Sequence, residues 1–160
     1  MMLAQCVMDR FLEMWPVYAT DLWRLALAGA CGALVGWQRE RHEKAAGLRT
    51  HMLLAIGSCL FTLVAVAVNP DDITRLMQGL VTGAGFLSGG VIFREGATVR
   101  GLTTAVGLWV MAAVGMAAGA GHEFLAILAT VLTFLVLSAL LWVEARIARR
   151  ADSPIDKRAD

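Results

Sequence analysis

Five long stretches without a charged or histidine side chain set the limits on how this chain can fold. They are Leu25 to Gln38 (14 residues), Met52 to Pro70 (19), Leu76 to Phe93 (18), Gly101 to Gly121 (21) and Phe124 to Val143 (20). At 1.5 Å rise per residue, about 20 apolar residues in a helix cross the hydrocarbon of a bilayer. Four of the five stretches are near that length as they stand. The first reaches it by starting near Leu22, with Arg24 extending its long stem so that the guanidinium stays in the interface. The spans expected are therefore about 22–38, 52–69, 76–93, 102–120 and 124–143. Overall composition agrees, because 58% of the residues are hydrophobic and only 17% charged, against about 25% charged in an ordinary soluble domain.

Orientation follows from lysine and arginine, which accumulate on the cytoplasmic side of membrane proteins. Arg39, Arg41, Lys44 and Arg49 lie between spans one and two, Arg94 and Arg100 between spans three and four, and Arg146, Arg149, Arg150, Lys157 and Arg158 after span five. The alternate segments hold only Arg10, Arg24 and Arg75. The fold class expected is thus an all-α integral membrane protein with five transmembrane helices, N-terminus outside and C-terminus cytoplasmic. Residues 1–20 read as an interfacial N-terminal segment, amphipathic before Pro16 and with Trp15 and Tyr18 in the outer aromatic belt. Asp9 and Glu13 interrupt its apolar run, which does not suit a secretory signal peptide. Residues 21–143 form one membrane domain, and 144–160 a basic cytoplasmic tail that extends span five as helix and becomes disordered beyond Asp152. Cys6, Cys31 and Cys59 have neither paired nor metal-ligand spacing and read as packing residues.

Catalytic signatures are missing. His42-Glu43 and His122-Glu123 begin like a zinc-protease helix, but Ala46 and Ala126 stand where the second histidine belongs. No phosphate-binding glycine loop ending in Gly-Lys-Ser/Thr is present, and Ser88 lacks the first glycine of a nucleophile elbow. No enzyme activity, catalytic residue, cofactor or bound metal is expected. Nor does any carboxylate lie centrally in a span, which argues against active cation transport. Asp71 and Asp72 read as the solvated start of span three.

Small residues four apart let helix backbones touch in lipid, where van der Waals contact drives association. Gly32/Gly36, Gly79/Gly83, Gly85/Gly89 and Gly115/Gly119 all have this spacing. An alternative is that Gly89-Gly90 interrupts span three and opens backbone to a cavity, as broken helices do in transporters. At the basic side, Gln38, Arg39, Glu40, Arg49, Arg94, Glu95 and Arg100 form a polar cluster whose arginine forks suit phosphate or carboxylate, or simply anionic headgroups. The spacing of Arg94, Glu95, Gly96, Arg100 and Gly101 suggests a compact turn. Inside the spans, Gln78, Ser88, Thr103 and Thr104 lead the candidates for interhelical hydrogen bonds.

GALVGWQRE (32–40), AGLRTH (46–51) and GAGFLSGGVIFREGATVRGLTTAVGLWVMAAVG (83–115) together closely resemble the MgtC/SapB family of bacterial inner-membrane proteins. The resemblance covers roughly residues 25–140 and implies a five-span, multi-pass inner-membrane protein without enzymatic activity of its own. It also implies a link to growth under magnesium limitation, to stress adaptation and to modulation of other membrane proteins. Members nearest MgtC proper carry a C-terminal ACT-like domain, and none is expected within this sequence, which runs to Asp160. Gln38 replaces the glutamate of the family pattern GxxxGxER, leaving Glu40 as the nearby carboxylate, and Thr103 and Val110 stand where MgtC proper has asparagine and cysteine. These departures resemble the short SapB-like branch.

Three functions remain open on this reading. One is a non-enzymatic modulator of membrane proteins linked to magnesium homeostasis, acting through helix contacts. The second is a passive channel or transporter for Mg²⁺, protons or an anion, and the third a sensor of anionic ligands at the cytoplasmic arginines. The partners expected are the lipid bilayer and either further copies of the chain or another membrane protein, not nucleic acid.

Overall fold

The computed structural model describes the backbone of residues 2–151 and the side chains of residues 15–139. The helices are α1 (Met2–Arg41), α2 (Leu48–Val68), α3 (Ile73–Gly89), α4 (Leu102–Gly119) and α5 (Glu123–Ala151). A 3-10 turn, Pro70–Asp72, leads into α3, and a two-stranded hairpin of β1 (Phe93–Glu95) and β2 (Thr98–Arg100) joins α3 to α4. The short connections make successive helices antiparallel, so the α1–α2 turn, the hairpin and the start of α4 share one end of the bundle. Among the described residues, two helices, α2 and α4, are long and apolar enough to cross a membrane by length and composition alone.

Several boundaries move from where the sequence suggested them. α1 runs unbroken through Pro16, so the expected division at residue 20 is not a helix break. The Thr20 hydroxyl donates to the Pro16 carbonyl at 2.9 Å on that stretch. α2 starts four residues early, taking Leu48 to His51 into the helix. α3 stops at Gly89, four residues before the expected end at Phe93. The Gly90 N–H folds back to the Phe86 and Leu87 carbonyls at 3.2 Å, and Val91 and Ile92 continue the turn. The chain then enters the hairpin, so Gly89-Gly90 ends a helix and does not interrupt one. The predicted tail is helical as far as Ala151, and the disorder expected beyond Asp152 lies outside the described residues.

α4 is the central element. Eleven of its 18 residues are buried, from Thr104 to Gly119, and it packs against each of the other four helices. α2 lies between α1 and α4, and both neighbours approach it with glycine. A Cβ on Gly32 would sit 2.7 Å from the His51 carbonyl oxygen, and one on Gly36 would sit 2.8 Å from the Leu48 Cα. From the other side, a Cβ on Gly115 would strike the Ala55 carbonyl, and one on Gly119 would lie 2.6 Å from that of Cys59. These approaches bring backbones into contact and close a core of Ala28, Cys31, Val35, Ala55, Cys59, Met111 and Val114.

Candidate functional site

The α1–α2 turn organises the polar end of the bundle. The Gly47 at the N-cap of α2 offers no side chain to the orphan amides of the helix start. Glu40, eight residues upstream, supplies the missing acceptor, and its Oε2 takes the Leu48 N–H at 2.7 Å. A carboxylate at a helix N-terminus is also favoured by the helix dipole. Glu40 thereby ties the end of α1 to the start of α2, a role distinct from the ligand contact its charge alone suggested.

Beside this turn, polar side chains enter the protein interior. Arg39 is 4% exposed, and its Nη2 donates to the Thr104 hydroxyl of α4 at 2.9 Å. Gln38 is likewise buried and donates from Nε2 to the Ser138 hydroxyl of α5 at 2.6 Å. His51 is fully buried. Its Nδ1 lies 2.8 Å from the Gly47 carbonyl, an oxygen that can only accept, so the proton sits on Nδ1. Nε2 is left as a bare acceptor facing the Gly107 backbone, with no hydrogen-bond partner among the described residues. Gln38 Oε1 and Ser88 Oγ are also buried and have no hydrogen-bond partner among the described residues.

The structure therefore divides the predicted polar cluster. Gln38, Arg39, Glu40 and Thr104 join the bundle end, where they cross-link α1 to α2, α4 and α5. Arg94, Glu95 and Arg100 stay on the hairpin, where Arg100 pairs with Glu95 at 3.6 Å and Arg94 donates to the Gly96 carbonyl at 3.1 Å. All three are exposed. The compact turn is a hairpin with Glu95 opposite Thr98 and Gly96 first in a two-residue loop at φ +62°, where glycine carries no steric penalty. Gly101 closes the hairpin at φ +90°, and a Cβ there would collide with the Val91 carbonyl. Arg49 is exposed at the first turn of α2.

The intramembrane candidates also separate. Thr104 and Ser88 are buried, but Gln78 is exposed, and exposed Thr103 lines a cleft of about 530 Å³ between α4 and α5. Gly32, Gly36 and Gly115 make the close contacts their spacing predicted. Gly79, Gly83, Gly85 and Gly89 do not, since a Cβ on any of them would meet no described residue within 4 Å. None of these α3 glycines touches a described neighbour, and the only buried residues of α3 are Ala84 and Ser88. Gly90 meets only the Leu87 carbonyl of its own turn, at 3.2 Å.

Sequence reading missed two features. Arg24 does not simply extend toward an interface but pairs with Glu123 at 2.9 Å, joining α1 to the start of α5. The clue was charge complementarity between the starts of spans one and five, which run in the same direction, and it needs the helix neighbours to be known first. His51 was read only as the edge of a motif, and its burial depends on Gly36, whose added Cβ would lie 3.0 Å from the histidine Cβ. Asp72 takes the N-cap position of α3 without bonding an amide and lies 3.6 Å from Arg75 instead. Chemically, the bundle end offers a buried cation, hydroxyls and an imidazole acceptor. Among the described residues no three histidine, cysteine, aspartate or glutamate side chains converge as a metal site.

Comparison with known proteins gives a family. The model of the MgtC family matches residues 25–146. Protein MgtC of Brucella abortus is 45% identical over 118 residues, which is 72% of this chain and 49% of that protein. Protein MgtC of Salmonella paratyphi A is 38% identical over 136 residues, covering 85% of this chain and 58% of the relative. The uncharacterized protein slr0014 of Synechocystis is 44% identical over 121 residues, 75% of this chain and 52% of that one. The chain spans about half the length of these relatives, and no solved structure matches it. With the glycine-tight α1–α2–α4 core and the arginine-lined turn both inside the matched region, the chain belongs to the MgtC family.

Proposed function

We propose that this protein is a multi-pass component of the bacterial inner membrane that modulates other membrane proteins through helix contacts, in a process linked to magnesium homeostasis or stress adaptation. Membrane residence is supported by the outer faces of the helices, where Leu22, Trp23, Leu53, Phe61, Phe86 and Phe124 are all more than half exposed. Apolar surface on that scale, on every side of a bundle, suits lipid and not water. The N-terminus outside and the C-terminus inside remain the orientation favoured by the basic loops.

The observation that carries the modulator reading is one face of α3. Gln78, Thr82, Gly85 and Gly89 follow one another at helical spacings of three and four, and all are exposed. The two glycines have open space before them, so a foreign backbone can approach, and an amide in hydrocarbon gains by bonding a neighbouring helix. A second copy or another membrane protein meets both requirements. The passive channel is the less favoured reading. Between the polar end and the Arg24–Glu123 end lie Val35, Ala55, Cys59, Met111 and Val114, and the hydroxyls of Thr62 and Thr130 bond carbonyls of their own helices. A sensor of anionic ligands would use the exposed arginines at the polar end.

The test is complementation under magnesium limitation together with cross-linking in native membranes. A strain lacking the gene should grow poorly at low Mg²⁺, recover with the wild-type chain, and fail to recover with Gly85→Leu/Gly89→Leu present at equal abundance. The same substitution should remove a cross-linked partner. Full recovery with that variant, or liposome flux of Mg²⁺ through the purified chain, would sink the modulator reading.

A further inference from the structure

The adjoining face of α3 poses a different question. Gly79 and Gly83 face α2 across an apolar groove of about 740 Å³, and Gly57 of α2 lies on the same floor. A Cβ on any of the three would meet no described residue within 4 Å. Gly32, Gly36, Gly115 and Gly119 are glycines because backbones touch there, and that reason does not apply to these three. What they do is keep a channel open along the surface, walled by side chains such as Leu53, Phe61, Phe86 and Leu87.

The groove has a charged end. Arg49 lines it at the first turn of α2. The other arginines with described side chains each have a partner: Arg24 has Glu123, Arg39 has Thr104, Arg41 stacks on Trp37 at 3.9 Å, Arg75 has Asp72, Arg94 has the Gly96 carbonyl and Arg100 has Glu95. Among the described residues, Arg49 is the one arginine with no such contact. From Arg49 to Phe61 the groove follows α2 for 12 residues, roughly 18 Å at 1.5 Å per residue. That is close to the depth of one leaflet, about half of a 30 Å hydrocarbon core.

An apolar furrow one leaflet deep, floored by glycine and ending at an unpaired guanidinium, has the chemistry of a phospholipid. We propose that the α2–α3 groove binds one acyl chain of an anionic phospholipid, with Arg49 pairing to its phosphate. This rests on the membrane reading above. A basic side chain on the cytoplasmic side of a membrane bundle favours anionic over zwitterionic headgroups, and the guanidinium fork suits phosphate geometry. The site would join α2, part of the closed core, to the loosely attached α3 through a lipid that fills the space between them.

The full chain, purified in mild detergent, is examined by native mass spectrometry with added phosphatidylglycerol or phosphatidylcholine. Wild type should retain one phosphatidylglycerol per chain in preference to phosphatidylcholine by about fivefold, the factor one basic side chain contributes beside an anionic headgroup. Arg49→Gln should abolish that preference while leaving both lipids bound equally. Gly83→Leu should fill the groove and lose both adducts, with an unchanged thermal melt because its side chain enters open space. Gly57→Leu, on the α2 side of the floor, repeats the test if Gly83→Leu misfolds. Wild-type retention by both filled-groove variants would overturn the proposal. So would loss of a dimer peak with lipid adducts intact, since a second copy would then occupy the groove. Recovery of the chain from the soluble fraction without detergent would instead defeat the membrane reading itself, and is scored separately by fractionation.

Discussion

The glycines of α1 and α4 and those of α3 share one sequence spacing and have opposite structural roles. At Gly32, Gly36, Gly115 and Gly119 the missing side chain is occupied by the backbone of α2. At Gly79, Gly83, Gly85 and Gly89 no described residue occupies it. The first set makes α1, α2 and α4 one rigid body, because overlap with backbone cannot be relieved by turning a side chain. The second set leaves α3 with two open faces, one toward the groove and one toward whatever lies beyond the molecule. The small-xxx-small spacing thus marks where a backbone is able to approach, and the chain itself uses only half of those places.

Leucine substitution gives the comparison its largest test. Gly115→Leu drives a side chain into the Ala55 carbonyl and the Ser58 Cβ, and overpacking of this kind costs about 1–3 kcal/mol or more. We expect the detergent-solubilised protein to melt well below wild type or not to accumulate. Gly85→Leu, in open space, should fall within about 0.5 kcal/mol of wild type, as exposed substitutions do, while altering association. Thermal melts and cross-linking on the same two preparations read both effects. Equal melting of the two variants would remove the distinction between the glycine sets.

Much of the closed half was legible in the sequence. The helices follow from the uncharged windows, and α4 keeps its expected start at Leu102. Gly32, Gly36 and Gly115 were identified as contact positions from spacing alone. What spacing omits is the neighbour. Nothing local to Gly79 says that α2 stands off from it, and nothing local to Arg39 says that it turns inward to Thr104 while Arg94, in a similar basic loop, remains outside. The end of α3 at Gly89 was misjudged because apolar residues continue to Phe93. The hairpin is fixed by Gly96 and Gly101, whose left-handed conformations matter more there than hydropathy. The Arg24–Glu123 pair joins residues 99 apart and needs the assembled bundle to be seen.

Polar links inside the closed half should matter less than glycine contact, and in a definite order. Thr104→Val keeps the volume near constant but takes the hydroxyl acceptor from buried Arg39. Leaving a buried donor short of a partner costs about 1–3 kcal/mol, so a clear drop in Tm is expected. Glu40→Ala removes the acceptor for the Leu48 amide, and loss of a helix cap costs about 1 kcal/mol. Glu40→Gln, which keeps an oxygen at the same reach, should recover most of that. If Glu40→Gln melts no higher than Glu40→Ala, the link between α1 and α2 is a matter of charge and not of capping.

The smallest effect belongs to the far end, where Glu123 lies one residue before the 124–143 span. Its own backbone N–H at the start of α5, and then the Arg24 guanidinium, hold its carboxyl below the usual carboxylate value. A carboxylate with a lowered value in the folded state adds stability above its unfolded pKa, and loses it as the pH falls through the folded one. Both partners keep about a quarter to a third of their surface exposed, so solvent and salt reduce the contribution to at most about 1 kcal/mol. Wild type should therefore lose a small increment of Tm on acidification below the ordinary carboxylate range, and Glu123→Gln should lack that increment at neutral pH and titrate less. Added salt should narrow the gap between them. The Gly85→Leu protein should follow the wild-type acid curve, because the pair fastens α1 to α5 and leaves α3 untouched. A parallel shift of that curve would mean that α3 is coupled to the closed half more tightly than its open glycines imply.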